Sequence, residues 1–144
     1  MENILENRVN KAKELFTQGY NCAQSVFIAF ADMYNISEEM AMKMTLSLGS
    51  GMGGLKQTCG AATAIFLLAG LETEDKSLTN RENMRNTYKL VRSLAAELVK
   101  VNGSIVCGQL LETNSTRKRT CNDTVEETAR VWGEYLVQVG KLKK

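Results

Sequence analysis

The chain has 144 residues and no proline, and its apolar residues return at spacings of three and four almost from end to end. Proline is the residue that most firmly stops a helix, and a spacing of three and four is the period of one helix face. The pair of features points to helices connected by short breaks. Leu5, Val9, Ala12 and Phe16 make the first stripe, and Gly19 ends it. A second segment runs from about Cys22 to Tyr34, with Val26, Phe27 and Phe30 on its apolar side. A third starts after Ser37, a good N-cap, with Glu38 and Glu39 suited to the positive end of the helix dipole. A fourth, from about Cys59 to Leu71, is apolar all round and reads as the buried central helix. Thr79 to Glu82 reads as a capping box for the fifth, which carries Met84, Tyr88, Val91, Ala95 and Leu98 and closes at Asn102-Gly103. A short helix is expected from Ser104 to Leu111. The last has Val125, Thr128, Trp132, Leu136 and Val139 on one face, with Asp123 and Glu126 as its capping box.

No segment alternates with period two, and no β-branched run is bounded by hairpin turns. The fold class is therefore all-α: one domain over residues 1–144, a bundle of six or seven helices. The expected non-helical segments are Gly49 to Thr58, Glu72 to Leu78 and Glu112 to Asp123.

There is also no histidine. That removes the Ser-His-Asp triad, the Cys-His pair, the His-ligated haem and the H-E-x-x-H zinc site. The 18 Lys and Arg nearly balance the 16 Asp and Glu, which argues against nucleic acid or an anionic membrane as partner. Met1 to Asn7 lacks the basic and apolar regions of a signal peptide. The longest uncharged, apolar stretch, Gly60 to Leu71, is shorter than the ~20 residues a bilayer span requires. The expectation is a cytoplasmic protein with reduced thiols. Chemistry is left to cysteine, carboxylates, Lys, Arg, hydroxyls and the backbone.

The cysteines are Cys22, Cys59, Cys107 and Cys121, with no C-x-x-C pair among them. Each falls at or near an expected helix start: after Asn21, after Thr58, in the first turn after Ser104, and just ahead of the last helix. There the dipole and free N–H groups favour thiolate, the form that binds metal and attacks disulfides. Core cysteines would more naturally sit in mid-helix, as small hydrophobes. The lysine and arginines at Arg117-Lys118-Arg119 are placed to offset a negative site, or simply to solvate a loop. Met40, Met42 and Met44 are read as core packing rather than a soft metal site, with 40 and 44 sharing a face.

Gly49-Ser50-Gly51-Met52-Gly53-Gly54 formally contains G-x-G-x-x-G. A dinucleotide site needs a strand before that motif, and here a helix precedes it. The run reads better as a loop whose N–H groups, at Gly51 and Gly53 among others, approach Cys59 and donate to sulfur or to a bound anion.

Gly19-x-Asn21-Cys22-Ala23-Gln24, the glycine run, Cys59-Gly60-Ala61 and two lone downstream cysteines together resemble the redox-active family named for its C…GCAxxG…C…C pattern. The resemblance covers nearly the whole chain. It matches the family's four cysteines to Cys22, Cys59, Cys107 and Cys121, and its Gly-Ala to Gly60-Ala61. The final glycine of the C-G-A-x-x-G element is Ala64 here. What the resemblance implies is redox activity and a prosthetic group such as an iron–sulfur cluster.

Three readings stand at this point. In the first, the four cysteines are metal ligands of a shared thiolate site for electron transfer, holding an iron–sulfur cluster or zinc, with Gly51, Gly53 and Gly60 contacting the bound group. In the second, cysteine pairs cycle between thiol and disulfide with no metal or other cofactor. In the third, the chain is a non-catalytic helical module that binds a partner. An electron-transfer protein is the expected partner of the first reading, and a homodimer through a helix face is open to all three.

Overall fold

The computed structural model describes residues 3–73 and 79–144. Among the described residues there are seven helices of two or more turns and no strand: α1 (Leu5–Thr17), α2 (Cys22–Ala31), α3 (Glu38–Thr45), α4 (Gly60–Leu71), α5 (Arg81–Asn102), α6 (Cys107–Arg117) and α7 (Cys121–Gln138). The all-α expectation and the helix number both hold.

The centre of the bundle is α2 and not α4. Every residue of α2 after Cys22 is buried, whereas Leu67 and Leu71 of α4 reach solvent. The reason is position. α2 is covered by α1, α3, α4 and α7, while α4 is covered by α2, α5 and α7. α1 and α7 pack along each other, and Phe27, Phe30, Leu15, Ile65 and Trp132 fill the space between layers. Arg8, buried on α1, donates to the carbonyl of Ala29 at 3.1 Å and pairs with Asp32, so it holds α1 to the last turn of α2.

Several boundaries differ from the sequence reading. The second segment leaves α-geometry after Ala31, tightens into a 3-10 turn over Asp32–Tyr34, and stops at left-handed Asn35. Asn80, rather than Thr79, caps α5 through bonds from the N–H groups of Glu82 and Asn83. The expected loop from Glu112 to Asp123 shrinks to Lys118–Thr120. Residues 112–117 continue α6 because Asn114 is buried beside Leu110, and packing outweighs the weak helix preference of Thr and Ser. At the start of α7, Thr120 is the cap and Asp123 its reciprocal partner, one turn earlier than expected. Met40 and Met44 do share a face, but it is exposed, so the core packing expected of the three methionines holds for Met42 alone. Residues 74–78 of the expected break at Glu72 to Leu78 lie outside the described residues.

Phe27 is fully buried at the middle of α2. Phe27→Ala is expected to cost about 3–5 kcal/mol in urea unfolding, because the helix around it is packed on every side and cannot collapse into the void.

Candidate functional site

The starts of α2, α4, α6 and α7 lie at one end of the bundle, and each carries a cysteine. Cys22, Cys107 and Cys121 are the first residues of α2, α6 and α7. Cys59 is the N-cap of α4, one position earlier than its sequence suggested. All four line one cavity of about 220 Å3, together with Phe16, Asn21, Ser50, Lys56 and Asn114. None is in a disulfide. Cys59 is buried, Cys22 and Cys107 half-buried, and Cys121 exposed.

Local rules put them there. Asn21 closes a reciprocal box with Gln24: its side chain accepts from the Gln24 N–H at 2.8 Å, and the Asn21 N–H donates to Gln24 at 3.0 Å. That fixes where α2 begins, and therefore Cys22. Thr120 and Asp123 do the same for Cys121. Cys59 and Cys107 are set by a short antiparallel contact between two loops. The Cys59 N–H donates to the Ile105 carbonyl at 2.7 Å, and the Cys107 N–H donates to the Gln57 carbonyl at 2.6 Å.

Glycine makes the sulfur positions possible. A Cβ on Gly60 would lie 2.6 Å from the sulfur of Cys22 and 2.9 Å from the Leu48 carbonyl. A Cβ on Gly51 would lie 2.6 Å from Cβ of Cys107, and Gly51 has a left-handed φ of +70. Gly60 and Gly51 thus bear on the cysteines. None of Gly51, Gly53 and Gly60 lines the cavity itself, and Gly53 does not touch a cysteine either: the neighbour its Cβ would meet is the Ser47 carbonyl. Ala64 is buried in the core and lies off the cavity wall, so its methyl group meets packing side chains.

The expectation that every helix start would lower its thiol is corrected. A hydrogen bond with Cys59 is the largest influence on Cys22; with the N–H groups of Ser50, Ala61 and Ala23 it outweighs burial and brings that thiol down to about 6. Its partner moves the other way: the bond with Cys22, burial and the neighbouring negative charge hold Cys59 far above the ordinary thiol range. One thiolate and one thiol share this inner pair. Burial raises Cys107 and Cys121, and the charge at Cys22 adds to the rise. For these three cysteines, leaving water and sitting beside another sulfur outweigh the dipole.

The site also holds groups the sequence reading missed. Lys56 is the cation at the cavity wall. Arg117-Lys118-Arg119 does not line it; Arg119 instead donates to Val101 and Asn102. Asn114 gives a side-chain hydrogen bond to Thr124 at 3.3 Å, and its buried Oδ1 has no partner. Among the described residues, no three Cys, Asp or Glu side chains are gathered closely enough to hold one metal ion.

A family model described as "Putative redox-active protein (C_GCAxxG_C_C)" matches residues 20–135. The chain belongs to this family. Members carry redox activity in their description, and the matched span includes all four cavity cysteines of this C_GCAxxG_C_C protein. A curated relative from Archaeoglobus fulgidus, printed as "Uncharacterized protein", is 29% identical over 138 residues, covering 88% of this chain and 91% of its own. No solved structure matches. Among the described residues, no helix is long and apolar enough to cross a membrane.

Two outcomes follow from the geometry. In metal-free protein, alkylation of Cys22 should titrate with a midpoint near pH 6, and Cys59→Ala should move that midpoint up by removing the thiol that stabilises the anion. Gly60→Ala should cost about 1–3 kcal/mol in stability and slow Cys22 alkylation at low pH, because the added methyl displaces the sulfur from its N–H donors.

Proposed function

We propose that the four cysteines act as one redox centre and that its prosthetic group is an iron–sulfur cluster used for electron transfer. The observation that carries this reading is the convergence of Cys22, Cys59, Cys107 and Cys121 on a single cavity from four separate helix starts. The donor chemistry fits, since iron–sulfur clusters are held by cysteine thiolates and need no histidine. Among the described residues no three of these side chains are close enough to hold a single metal ion as they stand, so a tetrahedral zinc site with Zn–S of about 2.3 Å is not preformed. When bound, such a group accepts and returns one electron at a time. The chain's own residues would ligate it through the four sulfurs, donate N–H groups near Cys22, and shield it with Phe16, Leu110 and Leu111. An electron-transfer protein is the partner this chemistry requires.

A second reading rests on the contact between Cys22 and Cys59. A thiolate hydrogen-bonded to a neighbouring thiol is the arrangement of a reactive dithiol. Reaction with an external disulfide would proceed by attack of Cys22 on one sulfur, release of the other as a thiol, and closure by Cys59. The dithiol would lose two electrons and two protons, and the external disulfide would become two thiols.

Anaerobic purification separates the two. Brown protein containing iron and acid-labile sulfide, lost in any single Cys→Ala variant, is the expected result. Colourless protein without iron after reconstitution, with a reversible Cys22–Cys59 disulfide by peptide mapping, would replace the first reading with the second.

A further inference from the structure

We propose that the four-cysteine cavity binds a small, largely apolar compound carrying a hydroxyl or N–H group, and that Asn114 accepts its hydrogen bond. The inference goes beyond the redox reading, since it assigns the cavity a ligand and needs no prosthetic group.

The first observation is a helix face. Cys107, Leu110, Leu111 and Asn114 all line the cavity. Steps of three, four and seven residues put them on one stripe of α6. Asn114 therefore faces the cavity as Cys107 does, and it is 4% exposed. Its main-chain carbonyl is already used, by the N–H groups of Lys118 and Arg119, so the side chain is the part left to explain.

The second observation is a pair of matching contacts. Asn102 donates through Nδ2 to Thr128 at 3.3 Å, and Asn114 donates through Nδ2 to Thr124 at 3.3 Å. The two threonines are one turn apart on α7, and all four residues are buried. In the first pair Arg119 donates to the remaining edge of the amide at 3.1 Å. A guanidinium only donates, so that edge is the oxygen. In the second pair no protein group donates to Oδ1 of Asn114. Among the described residues, it is the one buried side-chain atom without a partner that belongs to a cavity-lining residue. A buried amide oxygen costs stability until it receives a hydrogen bond, and a donor in the cavity is placed to supply it.

The cavity sets the rest of the ligand. Its 220 Å3 exceeds the ~150 Å3 of an apolar cavity that accepts benzene, so a single ring with a small substituent has room. Phe16, Leu110 and Leu111 give that ring an apolar wall, and Asn114 gives its polar group an acceptor. The cysteines line the same space, which places a bound compound beside the redox centre.

The probes are phenol, which brings a hydroxyl donor, and toluene, which has the same shape and none. Calorimetry is run on the full chain purified anaerobically, with iron and acid-labile sulfide determined on the same sample. Asn114→Leu keeps the volume and removes the acceptor, and thermal melting checks its folding. The ratio of phenol to toluene affinity is expected to fall by about ten- to a hundredfold from the parent to Asn114→Leu, because the hydroxyl is then buried unpaired. An unchanged ratio would overturn the proposal, and so would a parent chain that binds neither probe at millimolar concentration. If Asn114→Leu does not fold, a structure of the parent with phenol decides. A hydroxyl within about 3.2 Å of Asn114 Oδ1 supports the site, and a hydroxyl directed elsewhere overturns it. The iron and sulfide content answers the prosthetic-group question by itself, so either reading can fail alone.

Discussion

The site depends on one close approach, that of the Cys22 sulfur to the main chain at Gly60. A bare Cα at that point lets the start of α2 and the start of α4 touch through sulfur. The contact places Cys59 beside Cys22 and turns the N–H of Ala61 toward the same sulfur. The loop 49–58 must then fold back tightly, since Gly49 meets Asn21 and Gly51 meets Cys107. The glycine run is accordingly a packing requirement at several points, with left-handed turns at Ser50, Gly51, Met52 and Gly53 that let the loop reverse in a few residues.

The electrostatics divide the cysteines into two kinds. Helix starts supply a modest stabilisation of negative charge, typically some tenths of a kcal/mol to about 2. Burial and a second sulfur act against it with comparable or greater strength. Where a thiol and three N–H groups converge, at Cys22, the anion wins. Elsewhere it does not. Four chemically identical side chains at four similar helix positions thereby acquire different proton affinities.

The helices were legible because their stripes are long and their stops are marked by glycine. Asn21 as the cap of α2 could be read directly, and so could the grouping of cysteines at helix starts. What the sequence hid was set by long-range contact. The extra turns of α6 exist because Asn114 is buried against its neighbours, and no local preference announces that. Lys56 looks like one lysine in a loop until main-chain bonds to Ser50 and from Gly108 pin its backbone. The same is true of the fall at Cys22, since a thiol 37 positions along the chain produces it.

The cysteines are spread over most of the chain, and the last of them opens the final helix. Until α7 docks on α1 and α2, the cavity lacks a wall and one sulfur. The four cysteines share a cavity only with α7 packed against α1 and α2, so the intact cavity is itself a sign that the whole bundle has been assembled.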